Sequence, residues 1–224
     1  MAQHLHWIGS VPLGATIASF GLLGNIISII VWKRLVETKL KDNQSTGIYL
    51  ITLAVCDSGL LVFFLMSDTL KANNPSLENN YIYASFYAWF AFPVFFIFVV
   101  ASIWMVVGVT LNRYIMIQFP TKVRSIYSRS RLYISIGLFL AFSVVVNIPH
   151  FFNFHVPYRN GTYMIELTEY GRTDGSKNYE FWVHCIVLVL APWFSIVILN
   201  GLIIYRISQQ MNKFKVMQGK TTGM

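Results

Sequence analysis

Five long stretches almost free of charged side chains limit what this sequence can fold into. They cover positions 1–32, 43–67, 79–112, 132–158 and 181–205, and Asp57 is the one acidic or basic residue within them. Each stretch exceeds the ~20 residues that a helix needs to cross about 30 Å of hydrocarbon. Charged residues make up only 12% of the 224-residue chain, against about 25% in ordinary soluble domains. The pattern therefore predicts an all-α membrane protein.

The predicted membrane-spanning helices number five. We place them at Ile8 to Trp32, Thr46 to Ser67, Ser85 to Gln118, Leu132 to Phe154 and Phe181 to Tyr205. The first is too long for the apolar core of a signal peptide, and no Lys or Arg precedes it. We therefore expect the amino terminus to form a short tail outside the membrane.

The loops differ in charge. Most of the 17 Lys and Arg residues lie in the loops after the first, third and fifth spans, whereas most of the nine acids lie in the other loops. By the positive-inside rule, the amino terminus is outside and the carboxyl terminus inside. The net charge of +8 is explained by this topology. Nucleic acid is disfavoured as a partner, because the basic residues are spread over three short loops.

Two segments lie beyond the spans. The outside segment from His155 to Glu180 contains Asn160-Gly161-Thr162, an acceptor sequence for glycosylation at Asn160. The basic segment 209–224 is interpreted as the start of an inside loop or as an unstructured end. Cys56 and Cys185 both lie inside spans, so a disulfide framework is not available and a metal site is not predicted.

Asp57 is the only acid inside a span. Placing a carboxylate at this depth costs about 2.5–3.5 kcal/mol on insertion scales, so we expect it to face the interior of the bundle. Asn25, Ser58 and Ser102 are candidate partners, and together these groups could coordinate a cation. The alternative is a protonated or hydrogen-bonded structural acid.

Arg113 lies at the inside end of the third span, between Asn112 and Tyr114. A cation suits the negative end of a helix dipole. Taken alone, this arginine is more typical of a side chain that reaches from a helix end to the membrane surface.

Several motifs occur together in a characteristic order. They are Gly24-Asn25, Leu53-Ala54-Val55-Cys56-Asp57, Ala101-Ser102-Ile103-Trp104, Asn112-Arg113-Tyr114 and Pro192. In this order and spacing, from Gly21 to Tyr205, the chain resembles the rhodopsin-like G-protein-coupled receptors. Pro120 and Ile148-Pro149-His150-Phe151-Phe152 look like invertebrate neuropeptide receptors, including FMRFamide-type ones.

This resemblance implies a seven-transmembrane bundle in the plasma membrane, with residues 1–224 forming part of a single receptor domain. An extracellular ligand, expected to be a neuropeptide or another small ligand, would act on a cytoplasmic G protein. Arg113 and Tyr114, with Asn112, would form part of the coupling site. Asn25, Asp57 and Ser102 would form a polar network that binds an allosteric sodium ion, and no other cofactor is expected.

The chain departs from the family pattern at several positions. Asn112 replaces the acid that usually holds the arginine, and Ala88 occupies the place of a cysteine that is usually tied to the second outside loop. Phe139 and Asn200 replace a tryptophan and a tyrosine. Helices six and seven have no counterpart, so we expect a fragment of a longer receptor, a truncated product or a divergent protein.

Aromatic residues mark a candidate ligand wall in the third span. Phe92, Phe95 and Phe96 lie near its outside end without a carboxylate that would pair with an amine, so the wall favours a peptide or lipid. Packing against lipid or core is the alternative for any single phenylalanine. His150, His155 and His184 lack the spacing of metal ligands and are interpreted as interfacial polar residues.

Three other functions are weighed against the receptor. A truncated, non-signalling form could dimerise with or sequester full-length receptors. A channel or transporter could use Asp57, but paired broken helices are missing from the pattern. An enzyme is not predicted, because the sequence shows no nucleophile and base pair and no phosphate-binding loop.

Overall fold

A computed structural model describes residues 7, 9–38, 44–119, 129–159 and 161–221. Within these residues, five helices are long and apolar enough to cross a membrane. Helix α1 is Gly9–Glu37, α2 is Gln44–Asn73 and α3 is Tyr81–Gln118. Helix α4 is the α-helix Arg129–Asn147 with the 3₁₀ turn Ile148–Phe152. Helix α5 joins Asp174–Trp182, the π-helix Val183–Leu190 and Ala191–Thr221.

Helix α3 is the centre of the bundle. It packs against α2, α4 and α5, while α1 packs mainly against α2. The buried core lies where α2, α3 and α4 meet, and it contains Tyr49, Cys56, Ala101, Met105, Val109, Leu132 and Ile136. Small residues permit this approach: a Cβ at Gly59 would lie 2.5 Å from the Phe98 ring of α3. Close packing at small residues is a common basis of helix association in membranes.

Helices α3 and α5 are joined near the middle of the bundle. The indole Nε1 of Trp104 donates to the backbone oxygen of Val187, at 3.1 Å. Val187 lies in the π-helical part of α5. In a π-helix each backbone hydrogen bond spans five residues instead of the four of an α-helix. The indole therefore satisfies a carbonyl of an irregular helical segment from the neighbouring helix.

The long outside segment folds as a two-part β-hairpin between α4 and α5. Strand β1 (Phe154–His155) pairs with β4 (Glu166–Leu167), and β2 (Tyr158–Arg159) pairs with β3 (Thr162–Tyr163), both antiparallel. Gly161 adopts φ +83° between β2 and β3, a conformation that glycine adopts without steric cost. Short helical turns at Pro75–Asn79 and Glu169–Arg172 complete the outside face of the described residues.

The predicted fold class and its five spans are confirmed, and α5 differs from the prediction at both of its ends. Helix α5 begins at Asp174 instead of Phe181, because Thr173 accepts a hydrogen bond from the backbone N–H of Ser176 and caps the helix. Its other end continues through Thr221, whereas the sequence predicted a loop or an unstructured end from position 209. Good helix formers such as Gln, Met and Lys dominate this segment.

Candidate functional site

The predicted polar network is only partly assembled. The hydroxyl of Ser102 on α3 donates to Oδ1 of Asp57 on α2. Ser58 instead donates to the carbonyl of Ala54 in its own helix, at 2.7 Å. Asn25 is half-buried on α1 and makes no hydrogen bond to these residues in the described part of the chain. Asp57 and Ser102 thus provide two oxygen donors for a hard cation.

Asn112 and Arg113 face different neighbours at the inner end of α3. The Asn112 side chain is 0% exposed, and its Nδ2 donates to Oγ1 of Thr46 on α2, at 2.8 Å. Its Oδ1 is buried without a hydrogen-bond partner among the residues described. The asparagine therefore ties α3 to α2 and does not hold the neighbouring arginine.

Arg113 is exposed and opens onto a cavity of about 440 Å³. The cavity lies between α2, α3 and α5, and it is lined by Thr46, Arg113, Met116, Ile117, Asn200 and Ile203. Tyr114, the other predicted coupling residue, is half-buried at the next position. Asn200 thus shares a cavity with Arg113, although the two residues come from distant parts of the sequence.

The three candidate ligand residues come together at the outer end. Phe92, Phe95 and Phe96 line one cavity of about 380 Å³ between α2 and α3, with Phe64, Ser67, Asp68, Lys71 and Tyr87. Lys71 forms an ion pair of 2.5 Å with Glu78, and its Nζ lies 5.3 Å from the centre of the Tyr87 ring. The lining of the cavity is mostly aromatic and includes one acidic and one basic side chain, Asp68 and Lys71.

A second cluster shares Phe92 and Phe96 with this cavity. The His150 ring stacks on Phe96, with centroids 4.7 Å apart, and meets Phe92 edge-on at 5.6 Å. Its Nδ1 lies 3.3 Å from Nδ2 of Asn153, which also donates to Glu180. The His184 ring lies 6.2 Å from that of His150. The two histidines meet, but the described residues hold no group of three or more metal ligands.

Asn153 and Glu180 were not identified from the sequence. Their side chains bond to each other across 27 positions, and no periodic pattern links them. The one signal in the sequence was that these two polar residues lie on either side of the outside segment. The predicted glycosylation residue Asn160 lies outside the described residues.

Comparison with known proteins identifies the family. The family described as 7 transmembrane receptor (rhodopsin family) matches residues 24–221. The chain therefore belongs to the rhodopsin-type seven-transmembrane receptors, a class of receptors and not of enzymes.

Two relatives within this family are similar to the chain over most of its length. The chain is 29% identical over 222 residues to the FMRFamide receptor of Drosophila melanogaster, across 92% of this chain and 38% of that receptor. It is 25% identical over 160 residues to the Gq-coupled rhodopsin of Mizuhopecten yessoensis, across 68% of this chain and 31% of that protein. The chain thus spans less than half the length of either relative, and the resemblance to invertebrate neuropeptide receptors is confirmed.

Proposed function

We propose that this chain forms the first five helices of a plasma-membrane receptor that binds an extracellular peptide and activates a cytoplasmic G protein. The cavity around Arg113 is the observation that best supports coupling. It opens at the predicted inner face, and Arg113 is exposed in it, whereas the neighbouring Asn112 bonds to α2. A cationic side chain in such a cleft can donate to backbone carbonyls of an inserted segment.

The aromatic cavity at the outer end supports a peptide ligand. Its phenylalanine and tyrosine rings provide apolar surface for an aromatic or aliphatic side chain. The similarity to the FMRFamide receptor favours the same class of ligand.

Coupling is tested in cells that express the complete gene product containing this chain. FMRFamide is applied, and dissociation of the G-protein subunits is measured by resonance energy transfer. Arg113→Ala is expected to lower the maximal response about tenfold or more, because arginine is among the residues that most often dominate binding energy at an interface. Arg34→Ala is the matched control, because Arg34 is exposed at the inner end of α1 and does not line the cavity. A receptor without basal or peptide-evoked activation, unchanged by Arg113→Ala, would refute the proposal.

Ligand binding is tested in the same cells with labelled FMRFamide. Phe95→Ala is expected to weaken binding about tenfold, in line with the loss of a buried aromatic anchor. Phe194→Ala, on the exposed face of α5, is expected to leave affinity unchanged. Equal effects of both variants would argue against the aromatic cavity as the ligand site.

The non-signalling alternative is tested by co-expression with a full-length relative. If the gene product only reduces the surface delivery of that relative, the non-signalling alternative takes the place of this proposal.

Asp57 and Ser102 form the proposed sodium site. Asp57 supplies a carboxylate and Ser102 a hydroxyl. Their hydrogen bond keeps the two oxygens next to each other between α2 and α3. Replacing sodium chloride with choline chloride is expected to change peptide affinity in the wild type. Asp57→Asn is expected to abolish that difference, whereas a sodium effect that persists in the variant would place the ion elsewhere.

A further inference from the structure

The outside hairpin needs an anchor other than a disulfide. The sequence has two cysteines, Cys56 and Cys185, and both are free and lie in spans. Even so, the base of the hairpin is closely packed. Phe154 in β1 meets the Phe92 ring at 4.9 Å, and a Cβ at Gly171 would lie 2.6 Å from the backbone oxygen of Asn153.

Asn153 lies at the junction of α4, the hairpin and α5. Its side chain is buried, with the residue only 2% exposed. The amide nitrogen donates to Oε1 of Glu180, and Oδ1 accepts from the hydroxyl of Ser176, at 3.4 Å. Its backbone oxygen accepts from the N–H of Thr168, at 2.9 Å. One residue thus binds both the returning end of the hairpin and the first turns of α5.

The direction of these hydrogen bonds is determined by chemistry. The Glu180 carboxylate provides acceptors, so the nitrogen of the Asn153 amide must face it. The second amide hydrogen then points to Nδ1 of His150, at 3.3 Å. Because Nδ1 accepts, the ring proton of a neutral His150 lies on Nε2, which is buried without a hydrogen-bond partner in the described residues.

We propose that Asn153 is a positioning residue that clasps the hairpin base to the outer end of α5, with Glu180 and Ser176 as its partners on α5. This network, which we call the Asn153 clasp, also orients His150 against Phe96. The clasp uses hydrogen bonds where a disulfide would use a covalent bond. Its removal leaves the Glu180 carboxylate, whose side chain is 38% exposed, and the buried His150 imidazole without their shared hydrogen-bond donor.

The test reverses the direction of the central hydrogen bond. The complete gene product is purified in nanodiscs without ligand, and hydrogen exchange is measured for peptides covering 154–167. Asn153→Asp removes the donor and places a second carboxylate beside Glu180, so exchange is expected to rise about tenfold. Glu180→Gln retains an acceptor oxygen and is expected to change exchange less than about threefold.

The double variant Asn153→Asp with Glu180→Gln is the decisive one. The new amide can donate to the new carboxylate, so protection is expected to return close to that of the wild type. A residue that only fills space would show no such rescue. Asn178→Asp is the matched control, since it makes the same change on an exposed residue of α5. The proposal is overturned if Asn153→Asp leaves exchange unchanged or if the double variant is no better protected than the single one.

Two further measurements keep the proposal testable. If Asn153→Asp cannot be purified, Glu180→Ala is compared with Glu180→Gln. The clasp requires that hydrogen exchange is faster in Glu180→Ala and not in Glu180→Gln. Equal exchange in the two variants refutes the proposal. The second measurement is the dissociation rate of labelled FMRFamide, which the clasp is expected to slow through the contact of Phe154 with Phe92. This measurement rests on the proposed function, whereas the hydrogen-exchange measurement does not, so the two can fail separately.

Discussion

Asn112 at the inner end of α3 and Asn153 at the outer end of α4 are both buried, but they differ in how many partners they find. The Asn153 side chain uses its nitrogen and its oxygen, and it joins α4 to α5. Asn112 donates to Thr46, contacts the sulfur of Met116 at 3.7 Å and leaves its oxygen unpaired among the residues described.

The contrast separates two physical tasks. A buried side chain whose nitrogen and oxygen both find partners rigidifies its surroundings, because it is costly to expose alone. A residue held by fewer hydrogen bonds is displaced at lower cost when a partner offers better contacts. The outer end of the bundle is therefore the preorganised end, and the inner end beside Arg113 is the adaptable one.

The largest effect is expected from Asn153→Leu. The substitution retains most of the volume but leaves Glu180, Ser176 and His150 without their partner, at a cost of about 3 kcal/mol. The measurement is the unfolding midpoint of the purified receptor in detergent. A cost below about 1 kcal/mol would remove the contrast between the two ends.

An intermediate effect is expected from Trp104→Phe, which tests the hydrogen bond that joins α3 to α5 between the two ends. The variant retains the aromatic ring and loses the hydrogen bond to the Val187 carbonyl, so we expect a loss of about 1 kcal/mol. Trp193→Phe on the exposed face of α5 is the control for the same unfolding measurement. Equal midpoints for the two variants would show that the indole hydrogen bond contributes little.

Asn112→Leu is expected to cost less than about 1 kcal/mol. It removes one hydrogen bond to Thr46 but also removes a buried oxygen that lacks a partner. The comparison with Asn153→Leu under identical conditions sharpens the argument. If Asn112→Leu is as destabilising as Asn153→Leu, the inner end is not the weakly tied one.

The smallest effect is expected from Glu166→Gln on the hairpin. Glu166 lies 3.7 Å from Arg159 and 3.5 Å from Arg172, both of which are well exposed. Such surface pairs contribute about 0–1 kcal/mol and are screened by salt. We expect an unfolding midpoint near that of the wild type, and a still smaller difference between the variant and the wild type at high salt. A large drop would mean that surface ion pairs, and not the Asn153 clasp, hold the hairpin.

The sequence predicted the helices well because the thickness of hydrocarbon sets a minimum length for an uncharged stretch. The meeting of Phe92, Phe95 and Phe96 in one cavity also followed from helical spacing. The start of α5 was missed because Asp174 to Glu180 is as polar as a loop. The Asn153 clasp was missed because its members come from separate segments, and only tertiary packing brings them together.

The π-helical segment Val183–Leu190 sets the angular relation between the two halves of α5. His184 contacts Phe96 and Asn200 shares a cavity with Arg113, so both residues face α3. On an unbroken α-helix they would lie roughly 160° apart, because each residue turns the helix by about 100°. The wider π turns absorb this difference. Rewinding the segment to regular α-helix would rotate Asn200 away from Arg113 while the outer half of α5 kept its bonds to Asn153.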